Sequence, residues 1–94
     1  MDIQGLQTTI AATYLGRDRE RGVDATFRWF TEEVGELARA IRTGERPELE
    51  HEFSDVLAWL ASLANLLDVD LDAAMARYAE GCPKCHHQPC DCPM

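Results

Sequence analysis

Ninety-four residues, 46% hydrophobic and 28% charged, suffice for one small globular domain with a modest core. A formal net charge of −8 lacks the basic footprint that nonspecific nucleic-acid binding requires. No apolar run approaches the ~20 residues of a membrane span, and MDIQGLQTTI has neither the basic flank nor the apolar core of a signal peptide, so a cytoplasmic protein without nucleic-acid or membrane partners is expected.

Taken in chain order, Ile3, Leu6, Ile10 and Tyr14 recur at helical spacing and predict a first helix from Asp2 to Tyr14. The charged, glycine-containing stretch GRDRERGVD reads as a loop, with Asp24 as N-cap of the second helix. That helix carries an apolar seam of Phe27, Phe30, Val34, Leu37 and Ile41. Gly44 and Pro47 bracket a turn, and a third helix follows with its seam at Leu49, Phe53, Val56, Leu60, Leu63 and Leu67. Asp70 is placed to cap a short fourth helix bearing Leu71, Ala74, Met75 and Tyr78, which Gly81 ends. No β pattern appears. The expected fold is all-α: an antiparallel helical hairpin core with flanking helices over residues 1–80, followed by a cysteine-rich tail over residues 81–94. Leu57, Ala58, Ala61 and Ala64 give the third helix more apolar surface than two short flanking helices cover, so an oligomeric bundle, a dimer or tetramer, is expected.

Two carboxylate pairs dominate the chemistry. Glu33/Glu36 and Glu52/Asp55 are each spaced i, i+3, which projects both members from one helix face. Each of the four precedes a seam residue by one position, so both rows emerge on the same side of an antiparallel hairpin. Glu36 lies eight residues before Gly44 and Asp55 eight after Pro47, about 12 Å from the turn at 1.5 Å per residue. The four acids should therefore converge. Clustered carboxylates repel unless a cation neutralises them, and oxygen-only sites suit Mg²⁺ or Mn²⁺, which commonly enter with substrate phosphates. Trp29 and Trp59 extend the same rows. They either stack on a base beside such a site or bury against the first helix or a second subunit. Glu32 points away from the row and supports the ligands, faces another subunit or is solvated.

EEVGE (Glu32 to Glu36), fifteen residues and then EFSD (Glu52 to Asp55) resembles the EExxE…ExxD signature of the MazG-like, all-α nucleotide pyrophosphohydrolases. The likeness covers roughly residues 24 to 80. Members of that family cleave nucleoside triphosphates between the α and β phosphates, giving a nucleoside monophosphate and pyrophosphate. Carried over, the resemblance makes Glu33, Glu36, Glu52 and Asp55 ligands of Mg²⁺, with Glu36 the candidate general base. It implies a nucleoside triphosphate partner in a house-cleaning or pool-balancing role. Arg17, Arg19, Arg21, Arg28 and Arg46 are candidate phosphate partners, and Arg28 joins Trp29 and Trp59 as candidate substrate contacts. Gln7 and Tyr14 are conceivable contacts to the base. The chain is also similar in length and acidic core to phosphoribosyl-ATP pyrophosphatase. That sibling's pattern has a basic residue before the EE pair and an aromatic–His step after the aspartate. Here those positions read Trp29-Phe30-Thr31 and Val56-Leu57-Ala58. A non-enzymatic helical adaptor with a zinc tail is the remaining alternative.

The tail, GCPKCHHQPCDCPM, places Cys82, Cys85, Cys90 and Cys92 within eleven residues. C-P-x-C is a familiar half of a structural zinc site. The spacing and a cytosolic setting favour Zn²⁺ over free thiols or disulfides, with a His or a second subunit available to complete a strained set. Some MazG-like proteins look similar here.

Overall fold

The computed structural model describes all residues 1–94. The chain forms α1 (Ile3–Arg21), α2 (Val23–Thr43), α3 (Arg46–Leu66) and the short α4 (Leu71–Met75), which tightens into a 3₁₀ turn over Ala76–Tyr78. There is no strand. α2 and α3 form the expected antiparallel hairpin, and α1 packs mainly on α3.

α1 overruns its expected end by nearly two turns. The stretch that reads as a loop is helical to Arg21, because Arg and Glu are strong helix formers and Arg21 pairs back to Asp18 at 2.8 Å across one turn. Only Gly22 stops it. Its φ of 85° and ψ of 167° lie in a region that glycine alone occupies comfortably, and its N–H donates to the Asp18 carbonyl. Gly22, not Asp24, is also the N-cap of α2; Asp24 falls in the first turn, where the helix dipole favours an acid. The α2–α3 turn follows expectation, with Gly44 left-handed at φ 73° and Pro47 in the first turn of α3. Asp70 caps α4, accepting from the N–H groups of Asp72 and Ala73.

The core is small and lies where α1 crosses α3. Ile10, Ala61, Leu63 and Ala64 are buried there with Ser62, while Ala40 is buried in α2. Gln7 braces the crossing. Its Nε2 donates to the Val69 carbonyl at 2.6 Å, and its Oε1 accepts from the Leu71 N–H at 2.9 Å. Gln7 is therefore occupied in holding α1 to the α3–α4 loop rather than free to contact a base.

The apolar seams do not close on one another within one chain. Phe27, Val34 and Ile41 of α2 are 55%, 42% and 59% exposed, and Phe53 of α3 is 53% exposed. The hairpin meets instead along the acid-bearing rows, so the carboxylates lie between the helices.

Candidate functional site

Glu33 and Glu36 from α2 and Glu52 from α3 bring carboxylate oxygens within 4.8 Å of one another. Asp55, one turn along α3, joins Glu52 and His51 in an adjoining group within the same limit. His51 Nε2 lies 3.1 Å from Asp55 Oδ2 and 3.9 Å from Glu52 Oε1. Sequence reasoning missed His51. Its signal was the i, i+4 spacing to Asp55, which puts the imidazole over the acid row.

Burial, followed by the charges of Glu36 and Asp55, raises the Glu33 carboxyl above its ordinary value. Glu52 is raised by the same causes in the same order, with His51 opposing. One oxygen of each, Glu33 Oε2 and Glu52 Oε2, is buried without a hydrogen-bond partner. Desolvated, unpartnered and mutually repelling carboxylate oxygens favour a cation, and a donor set of oxygens with one flanking imidazole fits a hard divalent ion.

Cavities open on both sides of this cluster. The one away from the turn, about 230 Å³, is walled by Asp55 and Trp59 and by Tyr14, Arg17, Asp18 and Arg21 of α1. Arg21 links its parts, lying 4.9 Å over the Trp59 ring while paired to Asp18 Oδ1. Asp18 is 1% exposed, and its Oδ2 has no partner. Trp29 and Trp59 stack on each other with centroids 6.1 Å apart and planes 13° apart; Trp59 also lies under Arg21 of α1, while Trp29 is 47% exposed. The turn-side cavity, about 460 Å³, lies between Glu36, Arg39, Glu48, His51 and Glu52. Of the candidate arginines, Arg17 and Arg21 reach the nearer wall. Arg28 is exposed and lines neither cavity, and Glu32 is exposed.

In the tail, the four cysteine sulfurs lie within 4.8 Å of one another, with Cys82–Cys92 at 3.7 Å and Cys85–Cys90 at 3.9 Å. The backbone N–H groups of Cys85 and Lys84 point at the Cys82 sulfur and pull its pKa down to about 6. Hydrogen bonding with the thiols of Cys90, Cys82 and Cys85 pushes Cys92 up to about 11. His87 Nδ1 lies 2.9 Å from Asp91 Oδ1. Neither expected supplement, a histidine or a second subunit, is needed to assemble four sulfurs.

Two comparisons bear on this geometry. The chain is similar to the uncharacterized protein YpjD of Bacillus subtilis (strain 168), at 46% identity over 57 residues, an alignment that takes in 50% of this chain and 51% of that protein. The chain thus spans about half the length of that relative. Residues 21–88, which carry all four acids, match the family described as the MazG nucleotide pyrophosphohydrolase domain. With most of its length so matched, this chain belongs to the MazG nucleotide pyrophosphohydrolase family.

Proposed function

We propose that this protein hydrolyses a nucleoside triphosphate between its α and β phosphates in the presence of Mg²⁺, releasing a nucleoside monophosphate and pyrophosphate. The observation that carries the proposal is the pair of buried, unpartnered carboxylate oxygens on Glu33 and Glu52, grouped with Glu36 and Asp55, the last of which also walls the cavity lined by Arg17, Arg21 and Trp59. Glu33, Glu36, Glu52 and Asp55 would hold the metal. When bound, Mg²⁺ polarises phosphate oxygens and acidifies a coordinated water. Glu36 takes the proton from the water that attacks the α phosphorus, while the pyrophosphate leaves with the bridging oxygen. Arg17 and Arg21 hold phosphate or sugar oxygens on the side away from the turn, and Trp59 lines the nucleoside's place. Arg39 and His51 face the opposite cavity, which suits the departing pyrophosphate.

The site would work in an oligomer. A compact monomer of 10.6 kDa exposes about 5,500 Å² by size scaling, whereas this chain exposes 7020 Å². Its radius of gyration is 15.6 Å against about 12 Å for a compact chain of this length. Phe27, Val34, Ile41 and Phe53 supply the apolar surface that a second copy would cover.

The decisive experiment is a panel of ribo- and deoxyribonucleoside triphosphates with pyrophosphate detection, run with Mg²⁺, with Mn²⁺ and with chelator. Turnover should require the metal, and Glu36→Gln should slow it by about 10²–10⁴-fold. A folded, metal-supplied protein that releases no pyrophosphate from any nucleotide would leave the helical-adaptor alternative standing.

A further inference from the structure

The tail takes no part in this chemistry: its cysteines share neither a hydrogen bond nor a cavity with the carboxylates. We propose that Cys82, Cys85, Cys90 and Cys92 of a single chain hold one Zn²⁺, and that this ion, in place of an apolar core, gives residues 81–94 their fold. Every buried residue of the protein lies between Ile10 and Ala64, so the tail has no interior of its own. It is nevertheless tightly wound. The Cys82 N–H donates to the His87 carbonyl at 3.1 Å, and the His86 N–H returns to the Cys82 carbonyl at 2.7 Å. Gly81 sits at φ 98°, where a Cβ would lie 2.7 Å from the His87 carbonyl oxygen. His86 takes a left-handed φ of 62°. Hydrogen bonds this few do not ordinarily hold fourteen residues, none of them buried, in such a shape.

The sulfur spacing identifies what does. Zn–S bonds of about 2.3 Å directed to the corners of a tetrahedron separate the sulfurs by about 3.8 Å. The two cross-pairs stand at 3.7 and 3.9 Å, and all four sulfurs fall within 4.8 Å. Disulfides would need about 2.05 Å. A multi-iron cluster spreads its thiolates over several metal ions and sets them farther apart. Among single ions, tetrahedral sulfur ligation suits zinc, which also outranks ferrous iron in affinity. The surroundings fit a loaded site as well. The Cys92 N–H points at Cys90 Sγ at 3.4 Å. Four sulfurs within 4.8 Å of one another already fill a tetrahedral set, so the site needs neither His87 nor Asp91, which lie beside Cys85. Four protein ligands close the site and leave no position for a substrate, so its role is structural.

The test uses the full chain, reduced, stripped with chelator and reloaded with Zn²⁺ or Co²⁺ alone. We expect one zinc per chain, loss of reactivity of all four thiols toward a thiol reagent, and the intense visible absorption of tetrahedral cobalt thiolate. Cys90→Ser should weaken zinc binding at least about tenfold. Glu52→Gln, which alters only the carboxylate cluster, should leave zinc stoichiometry unchanged, so failure here is separable from failure of the pyrophosphohydrolase proposal. Substoichiometric zinc, thiols still reactive in its presence, iron or two disulfides in protein purified under reducing conditions, or binding lost in Glu52→Gln but kept in Cys90→Ser would each overturn the proposal.

Discussion

Glu52 stands where the two long helices meet, with one oxygen buried and unpartnered and with Glu36 and Asp55 pressing on its charge. In the folded chain Glu33 and Glu52 hold their protons more tightly than at the ordinary value of 4.5. Their contribution to stability is therefore complete below about pH 4.5 and is lost as pH rises through the raised values. At pH 7, without metal, the cluster works against the fold. Glu52→Gln should then melt higher than the parent protein at pH 7, by roughly a few °C, and the gap should narrow on acidification toward pH 4.5. Mg²⁺ should raise the melting temperature of the parent at pH 7 and do much less for the variant. Circular dichroism melts across pH, with and without Mg²⁺, check both. A parent protein indifferent to Mg²⁺ would speak against the carboxylates as a cation site. At this scale the acids were legible, since matched offsets from the seams and matched heights above the turn placed them together. His51 was not, because a single histidine carries no periodic pattern.

Helix α1 shows how an element can be half legible. Its apolar spacing stops at Tyr14, and Gly16 among charges imitates a loop. Yet the backbone continues to Arg21 and carries Arg17, Asp18 and Arg21 to the cavity wall. Sequence patterning named Arg17 and Arg21 as phosphate partners but missed Asp18 and the two helical turns that present all three. The two glycines of this region separate by φ alone, as neither offers a Cβ any neighbour within 4 Å. Gly22→Ala should cost about 1–3 kcal/mol, because φ 85° is strained for any side chain. Gly16→Ala, inside an ordinary helical turn, should gain about 0.5–1 kcal/mol. Urea denaturation of both variants gives the two signs, and equal effects would mean that Gly22 is not the joint. In α2 the seam predicted the helix correctly but not its orientation. An apolar stripe reports that a face is to be buried without naming the surface that buries it.

For the whole molecule, that stripe leaves apolar surface in need of cover. Eight of 94 residues are buried, fewer than a self-sufficient core needs, while Phe27, Val34, Ile41 and Phe53 remain open. If a second copy covers them, the melting temperature should climb with protein concentration, and Ile41→Glu should lower the mass measured by sedimentation to that of one chain. A single-chain mass for the parent protein at micromolar concentration would refute the oligomer. The hairpin topology was legible because the turn residues and the periodicity agree. The surplus apolar surface was legible too, without naming what covers it.

The stacked indoles carry a practical consequence. The chain has two tryptophans, and both belong to the Trp29–Trp59 pair. All indole emission from this protein therefore originates beside the carboxylates, with no background from elsewhere in the fold. Arg21 lies over one of the two rings and is held by the buried Asp18, so a ligand that draws the guanidinium away alters the light directly. The protein comes with its own optical probe, seated where the nucleotide proposed above would bind.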